Sequence, residues 1–236
     1  MIPQNPQAEL LQPSYKLVSY TQPSEYARDE LGIETPLELI AFCARVSNPK
    51  NQLNHATAAN LIRSLIKRKE WSPLEMVDAT FAITTARDIS RQAIRHKSFT
   101  PQEFSQRYAE VEANRHCLRE ARYEHPTDRQ SSIQCDNAED IAWWIESQLA
   151  LIDHVQAIYQ EARRRKFAKE VARVVLPEGL TLTDYFFKGS IRSWIHYLEL
   201  RTYAGTQKEH RELALGIAQV IATIFPIESV MPEVTQ

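Results

Sequence analysis

Glycine is scarce in this chain, with five residues in a length of 236. Neither a G-x-G-x-x-G turn nor a P-loop is present, and both motifs use glycines to bring backbone N–H groups close to a phosphate. Any phosphate that the protein binds must therefore be held by side chains and helix ends. The sequence also lacks an HExxH motif and any Cys/His pair with zinc-ligand spacing, so we expect no metal site.

Cysteine, net charge and apolar runs are also limited. The cysteines Cys43, Cys117 and Cys135 are odd in number and show no CxxC spacing, so we expect no disulfide framework and a reducing, cytoplasmic location. Lys+Arg (28) and Asp+Glu (30) nearly balance, which argues against a general nucleic-acid binder. No apolar run reaches the ~20 residues of a membrane span and nothing resembles a signal peptide, so we expect no membrane partner.

The chain shows no internal repeat, low-complexity tract or linker, which predicts one α+β domain over residues 14–236. Residues 1–13, rich in proline and glutamine, are predicted to be a poorly ordered arm. Hydrophobic periodicity predicts strands at 16–20 and 76–85 and helices at 36–45, 56–69, 88–96, 137–173, 191–200 and 208–224. Thr35 is the expected N-cap of the first helix and Pro36 its first residue. The polar residues 111–136 are expected to form a long loop.

The segment 95–108, RHKSFTPQEFSQRY, carries the strongest chemical signal. Its first three residues can all be cationic, which by itself is also typical of a solvated helix end. If its second half is extended, Glu103, Ser105 and Arg107 project from one face. A carboxylate, a hydroxyl and a guanidinium beside three cations favour a site for an anionic ligand over a plain helix end.

Further cations lie towards the C-terminus. Arg173, near the end of the long predicted helix, is either a partner of the helix dipole or a bidentate clamp on phosphate. Arg192 and His196 are four residues apart and share a helix face, whereas His196 alone would more often be a structural histidine. Ser105 lacks a G-x-S-x-G elbow and no cysteine lies in a reactive motif, so the hard chemical step is assigned to a cofactor.

These residues resemble the flavin-dependent thymidylate synthases. That family's signature is Arg-His-Arg, seven residues, then Ser-x-Arg-Tyr, and here RHK at 95–97 is followed by Ser105, Arg107 and Tyr108. Weaker segments agree in the same order: ARVS at 44–47, SPLE at 72–75, RQAIRH at 91–96, ARVVLP at 172–177 and the segment 192–201. The likeness spans residues 37 to 225.

The resemblance implies a mainly antiparallel sheet packed against several helices, and a homotetramer with shared active sites. It implies that dUMP is methylated to dTMP with FAD as cofactor and with methylenetetrahydrofolate and NADPH as cosubstrates. By resemblance, the dUMP contacts are Gln92, Ala93, Ile94, Arg95, Glu103, Phe104, Ser105, Gln106, Arg107, Arg173 and Arg201. The FAD contacts are Ser47, Ser72, Arg95, His96, Lys97, Glu103, Ser190, Ile191, Arg192 and His196. The residues implied in catalysis are Arg95, Ser105 and Arg201, the last favouring ionisation of the pyrimidine N3.

The chain departs from the family pattern at several positions. Lys97 stands in place of the third motif arginine, which keeps the charge but loses the planar fork. Ser190 stands where asparagine is common, and Met76 and the pair at 70–71 stand where histidine is usual. Two alternatives therefore stay open. One is a flavoprotein of this fold acting on another pyrimidine nucleotide, and the other is a non-catalytic dUMP-binding protein.

Overall fold

The computed structural model describes residues 8–226. The strands are β1 (Ser14–Tyr20), β2 (Asp78–Ala86), β3 (Thr100–Glu103), β4 (Arg122–Glu124), β5 (Ser132–Gln134) and β6 (Leu182–Ser190). The helices are α1 (Glu25–Asp29), α2 (Pro36–Ala44), α3 (Ala58–Arg68), α4 (Arg87–Ala93), α5 (Ala138–Arg164), α6 (Lys169–Ala172), α7 (Ile191–Arg201) and α8 (Lys208–Ile224). Short 3-10 turns lie at Pro49–Asn51, His55–Thr57, Ser72–Met76 and Arg173–Val175.

The main sheet has four strands in the order β1-β2-β6-β3, and every neighbouring pair is antiparallel. Alternate residues of a strand point to opposite faces, and here one face is buried. Phe81 and Ile83 of β2 and Tyr185 and Phe187 of β6 lie on that face. The predicted α+β class with a mainly antiparallel sheet is confirmed.

Helices α7 and α8 help cover the buried face. The fully buried Trp194 of α7 donates its indole N–H to the carbonyl of Ala79 (3.1 Å) and meets the ring of Phe81 edge-on. Helix α8 lies so close to β1 that a Cβ at Gly216 would come within 2.1 Å of the Tyr15 ring. α7 therefore has a fixed position relative to β2, which carries α4 and the motif segment at its end.

Local signals explain where several elements begin. The Thr35 hydroxyl accepts from the backbone N–H of Glu38, and the Glu38 carboxylate accepts in return from the N–H of Thr35, so α2 begins with a capping box. This confirms Thr35 as the N-cap and Pro36 as the first helical residue. Asn137 caps α5 in the same way, accepting from the N–H groups of Glu139 and Asp140.

Several predicted elements were wrong in extent. The helix predicted over 137–173 ends at Arg164, because the chain turns at Lys166, which has φ 67°. The predicted extension of residues 102–108 ends near Glu103, because the chain then turns and the N–H of Tyr108 donates to the carbonyl of Ser105 (3.0 Å). The common face of Glu103, Ser105 and Arg107 therefore does not form as expected.

Other differences concern strands that were not predicted and the bounds of two predicted segments. Strand β6 was missed, and the expected loop at 111–136 contains the small hairpin of β4 and β5. Helix α4 ends at Ala93, earlier than predicted. Of the predicted arm, residues 1–7 lie outside the described part, while Leu10 forms a parallel bridge with Leu118. The boundary at residue 13 stays a prediction.

Candidate functional site

The motif tripeptide 95–97 lies in the tight connection between α4 and β3. The N–H of His96 donates to the carbonyl of Ala93, and the N–H of Phe99 donates to the carbonyl of His96. The ring of Phe99 stacks on Phe187 with centroids 4.1 Å apart. Because Phe99 is fixed in the core, Arg95 and Lys97 are held at the surface, where both are exposed.

Glu103, at the end of β3, ties this connection to α4. Its carboxylate accepts from the hydroxyls of Ser90 (2.8 Å) and Thr183 (3.2 Å) and from the guanidinium of Arg91 (2.9 Å). The buried Arg87 lies 3.9 Å from the same carboxylate. Both carboxylate oxygens are therefore engaged by the protein, which fixes the orientation of Glu103.

Arg201 and His96 form the central pair of the site. The Nε–H of Arg201 donates to Nε2 of His96 at 2.9 Å. Burial, and second the positive charge of Arg201, lower the pKa of His96 to about 4. His96 is therefore neutral near pH 7 and accepts this hydrogen bond. The terminal nitrogens of Arg201 have no hydrogen-bond partner within residues 8–226, so they are free to bind a ligand.

The turn after β3 brings α6 towards the motif. Arg107 pairs with Glu170 of α6 at 3.1 Å, and the Lys169 ammonium donates to the carbonyl of Tyr108 (2.8 Å). Arg173 follows α6 directly and is half-buried. Gln106 is buried, whereas Ser105 is exposed at the start of the turn. The backbone thus places Arg173 next to the segment that carries Ser105.

A second group of predicted residues surrounds the start of α7. Arg192 pairs with Glu75 of the 3-10 turn Ser72–Met76 at 2.8 Å, and the His196 ring meets Trp71 edge-on with centroids 4.4 Å apart. These contacts place Ser72 close to α7.

The cap of α7 links this group to the motif. The hydroxyl of Ser190 accepts from the N–H of Ser193, and the Ser193 hydroxyl donates to the carbonyl of Ser98 (3.2 Å), the residue after Lys97. The flavin positions at α7 therefore lie beside the motif tripeptide.

Some predicted site residues offer no side chain to a ligand or are not placed with the others. Ala93 and Ile191 are buried in the core. Ile94 is half-buried, and Phe104 donates its N–H to the carbonyl of Asp184. Ser47 is exposed after α2, and within residues 8–226 no hydrogen bond or ion pair joins its side chain to the other predicted site residues.

The cations of the site are mostly uncompensated. Within residues 8–226, no carboxylate lies within ion-pair distance of Arg95, Lys97, Arg173 or Arg201. Many arginines elsewhere are paired, including Arg163 with Glu110. Unpaired cations beside hydroxyl donors suit the phosphate groups of a nucleotide and of a dinucleotide cofactor. The donor set therefore fits FAD and a nucleotide monophosphate.

Several residues of this region were missed by sequence reasoning. They are Arg87, Ser90, Arg91, Thr183, Gln207, Glu209 and His210. One signal was available for His210, because it occupies the same stripe of α8 as the buried Leu213, Ala214 and Ile217, where a polar residue is unusual. The others carry no local signal, because several of them contact partners that are distant in the sequence, such as Thr183 with Glu103 and Gln207 with Gln92.

No helix within residues 8–226 is long and apolar enough to cross a bilayer. Over the same range, no group of three or more His, Cys, Asp or Glu side chains is arranged to hold a metal ion.

The fold and the site define a class of α+β proteins that bind anionic nucleotide ligands through side chains of an antiparallel sheet and its flanking helices. The sequence profile of the thymidylate synthase complementing protein family matches residues 30–227. The chain belongs to this family.

Relatives and a solved structure agree with this assignment. The chain is 41% identical over 213 residues to a protein of Paramecium bursaria Chlorella virus 1 described as a probable flavin-dependent thymidylate synthase, with 90% of this chain and 95% of the relative covered. It is 41% identical over 192 residues to the flavin-dependent thymidylate synthase of Synechocystis sp., covering 81% and 87%. A UMP/dUMP methylase of Streptomyces cacaoi, solved with 5-bromo-dUMP, has the same fold, with TM-score 0.78, 22% identity and 93% of each chain covered.

Proposed function

We propose that the protein is a flavin-dependent thymidylate synthase that converts dUMP to dTMP. The group of uncompensated cations around the Arg201–His96 pair is the observation that carries the proposal, together with membership of the family. When bound, FAD reduced by NADPH supplies the hydride, and methylenetetrahydrofolate supplies the carbon of the new methyl group.

The nucleotide is held by the residues around Arg201 and the turn at Ser105. Arg201 commits Nε to His96 and directs its terminal nitrogens to the pyrimidine, where a fixed cation stabilises negative charge at N3. The neutral state of His96 matters here, because a second cation beside Arg201 would repel it. Arg173 and the Ser105 hydroxyl would bind the phosphate, and Arg95 would contact both the nucleotide and the flavin.

The flavin is held by the exposed Lys97 and by the side chains at the start of α7. Arg192 and His196 are oriented by Glu75 and Trp71, respectively, and Ser190 lies at the cap of the helix. Glu103, whose carboxylate is oriented by hydroxyls and guanidiniums of the protein, would contact both the nucleotide and the flavin, as the family resemblance implies.

The proposal extends to assembly and location. We propose a homotetramer with active sites shared between chains, as the family resemblance implies. We also propose a cytoplasmic enzyme, which is supported by the odd number and the spacing of its three cysteines.

The direct test is an absorbance spectrum of the purified protein followed by an assay for dTMP. The expected result is a flavin spectrum and dTMP formation that requires dUMP, the folate and NADPH. UMP and dCMP in parallel reactions separate this function from that of a flavoprotein acting on another pyrimidine nucleotide. A colourless protein that takes up no FAD would contradict the proposal, and tight dUMP binding without dTMP would favour a non-catalytic binding protein.

Substitution of the proposed nucleotide contacts tests the residue assignments. Arg173→Ala and Arg201→Ala each remove a charge-assisted hydrogen bond, so we expect dUMP affinity to fall about 10- to 100-fold. Arg63→Ala, which changes an exposed arginine of α3, is the matched control. Wild-type affinity in either site variant, measured by calorimetric titration, would show that the assignment is wrong.

A further inference from the structure

A chain of hydrogen bonds, here called the relay, runs from Tyr197 in the core through His210, Gln92 and Gln207 to Glu209. The Tyr197 hydroxyl lies 3.0 Å from Nε2 of His210, and Nδ1 of His210 lies 3.2 Å from Oε1 of Gln92. Nε2 of Gln92 donates to Oε1 of Gln207 at 2.7 Å. Nε2 of Gln207 then donates to the Glu209 carboxylate at 3.1 Å. This relay joins α4, α7 and the start of α8.

The carboxylate at the end of the relay determines the direction of every bond in it. An ionised carboxylate only accepts, so Gln207 must turn its amide nitrogen towards Glu209 and its oxygen towards Gln92. Gln92 must then offer its nitrogen to Gln207 and its oxygen to His210. His210 must carry its proton on Nδ1, which leaves Nε2 to accept from Tyr197.

The surroundings hold both ends of the relay in the required protonation state. Burial raises the pKa of Glu209, but its own backbone N–H and the guanidiniums of Arg119 and Arg122 outweigh this and lower it. Arg122 lies 2.7 Å from the carboxylate and Arg119 3.4 Å. Glu209 is therefore ionised near pH 7.

The other end of the relay is neutral. Burial, then the charge of Arg201, and then His96 once it is protonated at low pH, lower the pKa of the fully buried His210 to about 3. Burial also raises the pKa of Tyr197, so its hydroxyl keeps the proton that it donates. With one proton on His210, only one tautomer satisfies both neighbours.

We propose that His210 is a positioning residue, which fixes the side-chain amide of Gln92 in a single orientation next to the Arg201–His96 pair for binding of the pyrimidine nucleotide. The inference rests on the proposed function, because Gln92 is one of the proposed dUMP contacts. A free glutamine side chain rotates and flips, and ordering it at the moment of binding costs affinity. The relay removes that cost in advance.

The direction of the relay can be tested without reference to the function. Nuclear magnetic resonance of the FAD-loaded protein labelled with ¹⁵N-histidine reports which ring nitrogen carries the proton. The His210 signals are assigned by their loss in His210→Asn. We expect them to show a protonated Nδ1 and an unprotonated Nε2. A proton on Nε2 near pH 7 would overturn the proposal, because the Gln92 amide would then lack its donor.

A matched pair of substitutions tests the effect on binding. In His210→Asn, the side-chain amide nitrogen should lie near the position of Nδ1 and can still donate to Gln92. In His210→Gln, the longer side chain should place its amide near the position of Nε2, next to Tyr197, and leave Gln92 without its donor. We expect dUMP affinity within about threefold of wild type for His210→Asn and a loss of roughly tenfold for His210→Gln, the effect of one misplaced hydrogen bond. Equal losses in both variants would indicate a packing role and overturn the proposal.

A double-mutant cycle then separates the two levels of inference. If His210 acts through Gln92, His210→Gln has no further effect on dUMP affinity once Gln92→Ala is present. Full additivity would overturn the positioning role. If Gln92→Ala binds dUMP with wild-type affinity, Gln92 is not a dUMP contact and the positioning role of His210 is wrong. If that same variant still forms dTMP, the proposed function itself is unaffected. Melting temperatures identify any variant that fails to fold, in which case the tautomer measurement decides.

Discussion

At the residue scale, the charge of Arg201 and the neutrality of His96 depend on each other. Removing the cation in Arg201→Gln should raise the pKa of His96 from about 4 towards its ordinary value, because one of the two causes of its depression is gone. Burial remains, so the return should be partial. Nuclear magnetic resonance titration of the histidine signals measures this shift. His154→Asn, which changes an exposed histidine of α5, helps assign the spectrum, and an unchanged His96 titration would contradict the prediction.

Glu103 is the second residue whose charge the site depends on. Its side chain is 16% exposed, and it faces Arg87 and Arg91. Glu103→Gln removes the less exposed of the two carboxylates that face these guanidiniums, the other being Glu178, so we expect the free energy of unfolding to fall by about 1–3 kcal/mol. Urea denaturation of the wild type and the variant gives this value. Glu170→Gln, which breaks the exposed pair with Arg107, should change it by less than ~1 kcal/mol. Equal losses in the two variants would contradict the prediction.

At the element scale, the close approach of β6 to the motif connection requires glycine at position 189. A Cβ there would lie 2.5 Å from the Phe99 ring, which is stacked between Phe187 and the edge of Trp194. Gly189→Ala should therefore displace Phe99 and destabilise the protein by about 1–3 kcal/mol, the usual cost of overpacking. A Cβ at Gly179 meets nothing within 4 Å, so Gly179→Ala is the matched control. The urea concentration at the midpoint of unfolding is measured for both variants, and equal midpoints for Gly189→Ala and Gly179→Ala would contradict the prediction.

The elements show how far the sequence alone predicts this fold. The Thr35–Pro36 start of α2 was predictable because a capping box is a purely local device. Buried and exposed residues also alternate along β6, where Thr183, Tyr185 and Phe187 are buried. Phe186 on the exposed face and Gly189, one residue before the end of the strand, weaken that pattern in the sequence. The end of α5 at Arg164 was not predictable, because the left-handed residue that follows it is Lys166 and not the glycine that usually marks a helix end. Only tertiary packing specifies such a turn.

Some residues of the candidate site were likewise predictable from local sequence, whereas others were not. The motif residues were predicted because they lie within one short segment, and the structure pairs one of them, His96, with Arg201. Their supporting residues could not be found from local spacing. His210 lies 118 positions from Gln92, and Thr183 lies 80 positions from Glu103. Contacts of this separation are created by the antiparallel pairing of β2, β6 and β3 and by the packing of α8.

At the scale of the whole molecule, the buried histidines link stability to pH. The folded protein holds His96 and His210 neutral, with pKa values of about 4 and about 3, and burial also lowers the pKa of His116. The unfolded chain takes up these protons near pH 6.5, so between that pH and the lower pKa values of the folded state it binds more protons than the folded chain. The contribution of these groups to stability is therefore complete above pH 6.5 and is lost as the pH falls.

A variant isolates the part of this pH dependence that belongs to His210. Between about pH 6 and pH 4.5, each histidine that stays unprotonated in the fold steepens the loss of unfolding free energy by up to ~1.4 kcal/mol per pH unit. His210 is fully buried, so its contribution should approach that limit. His210→Asn cannot titrate and should show a shallower slope by about that amount. Urea denaturation at fixed protein concentration across this range measures the slopes, and identical slopes for wild type and His210→Asn would show that His210 already takes up a proton in the folded state.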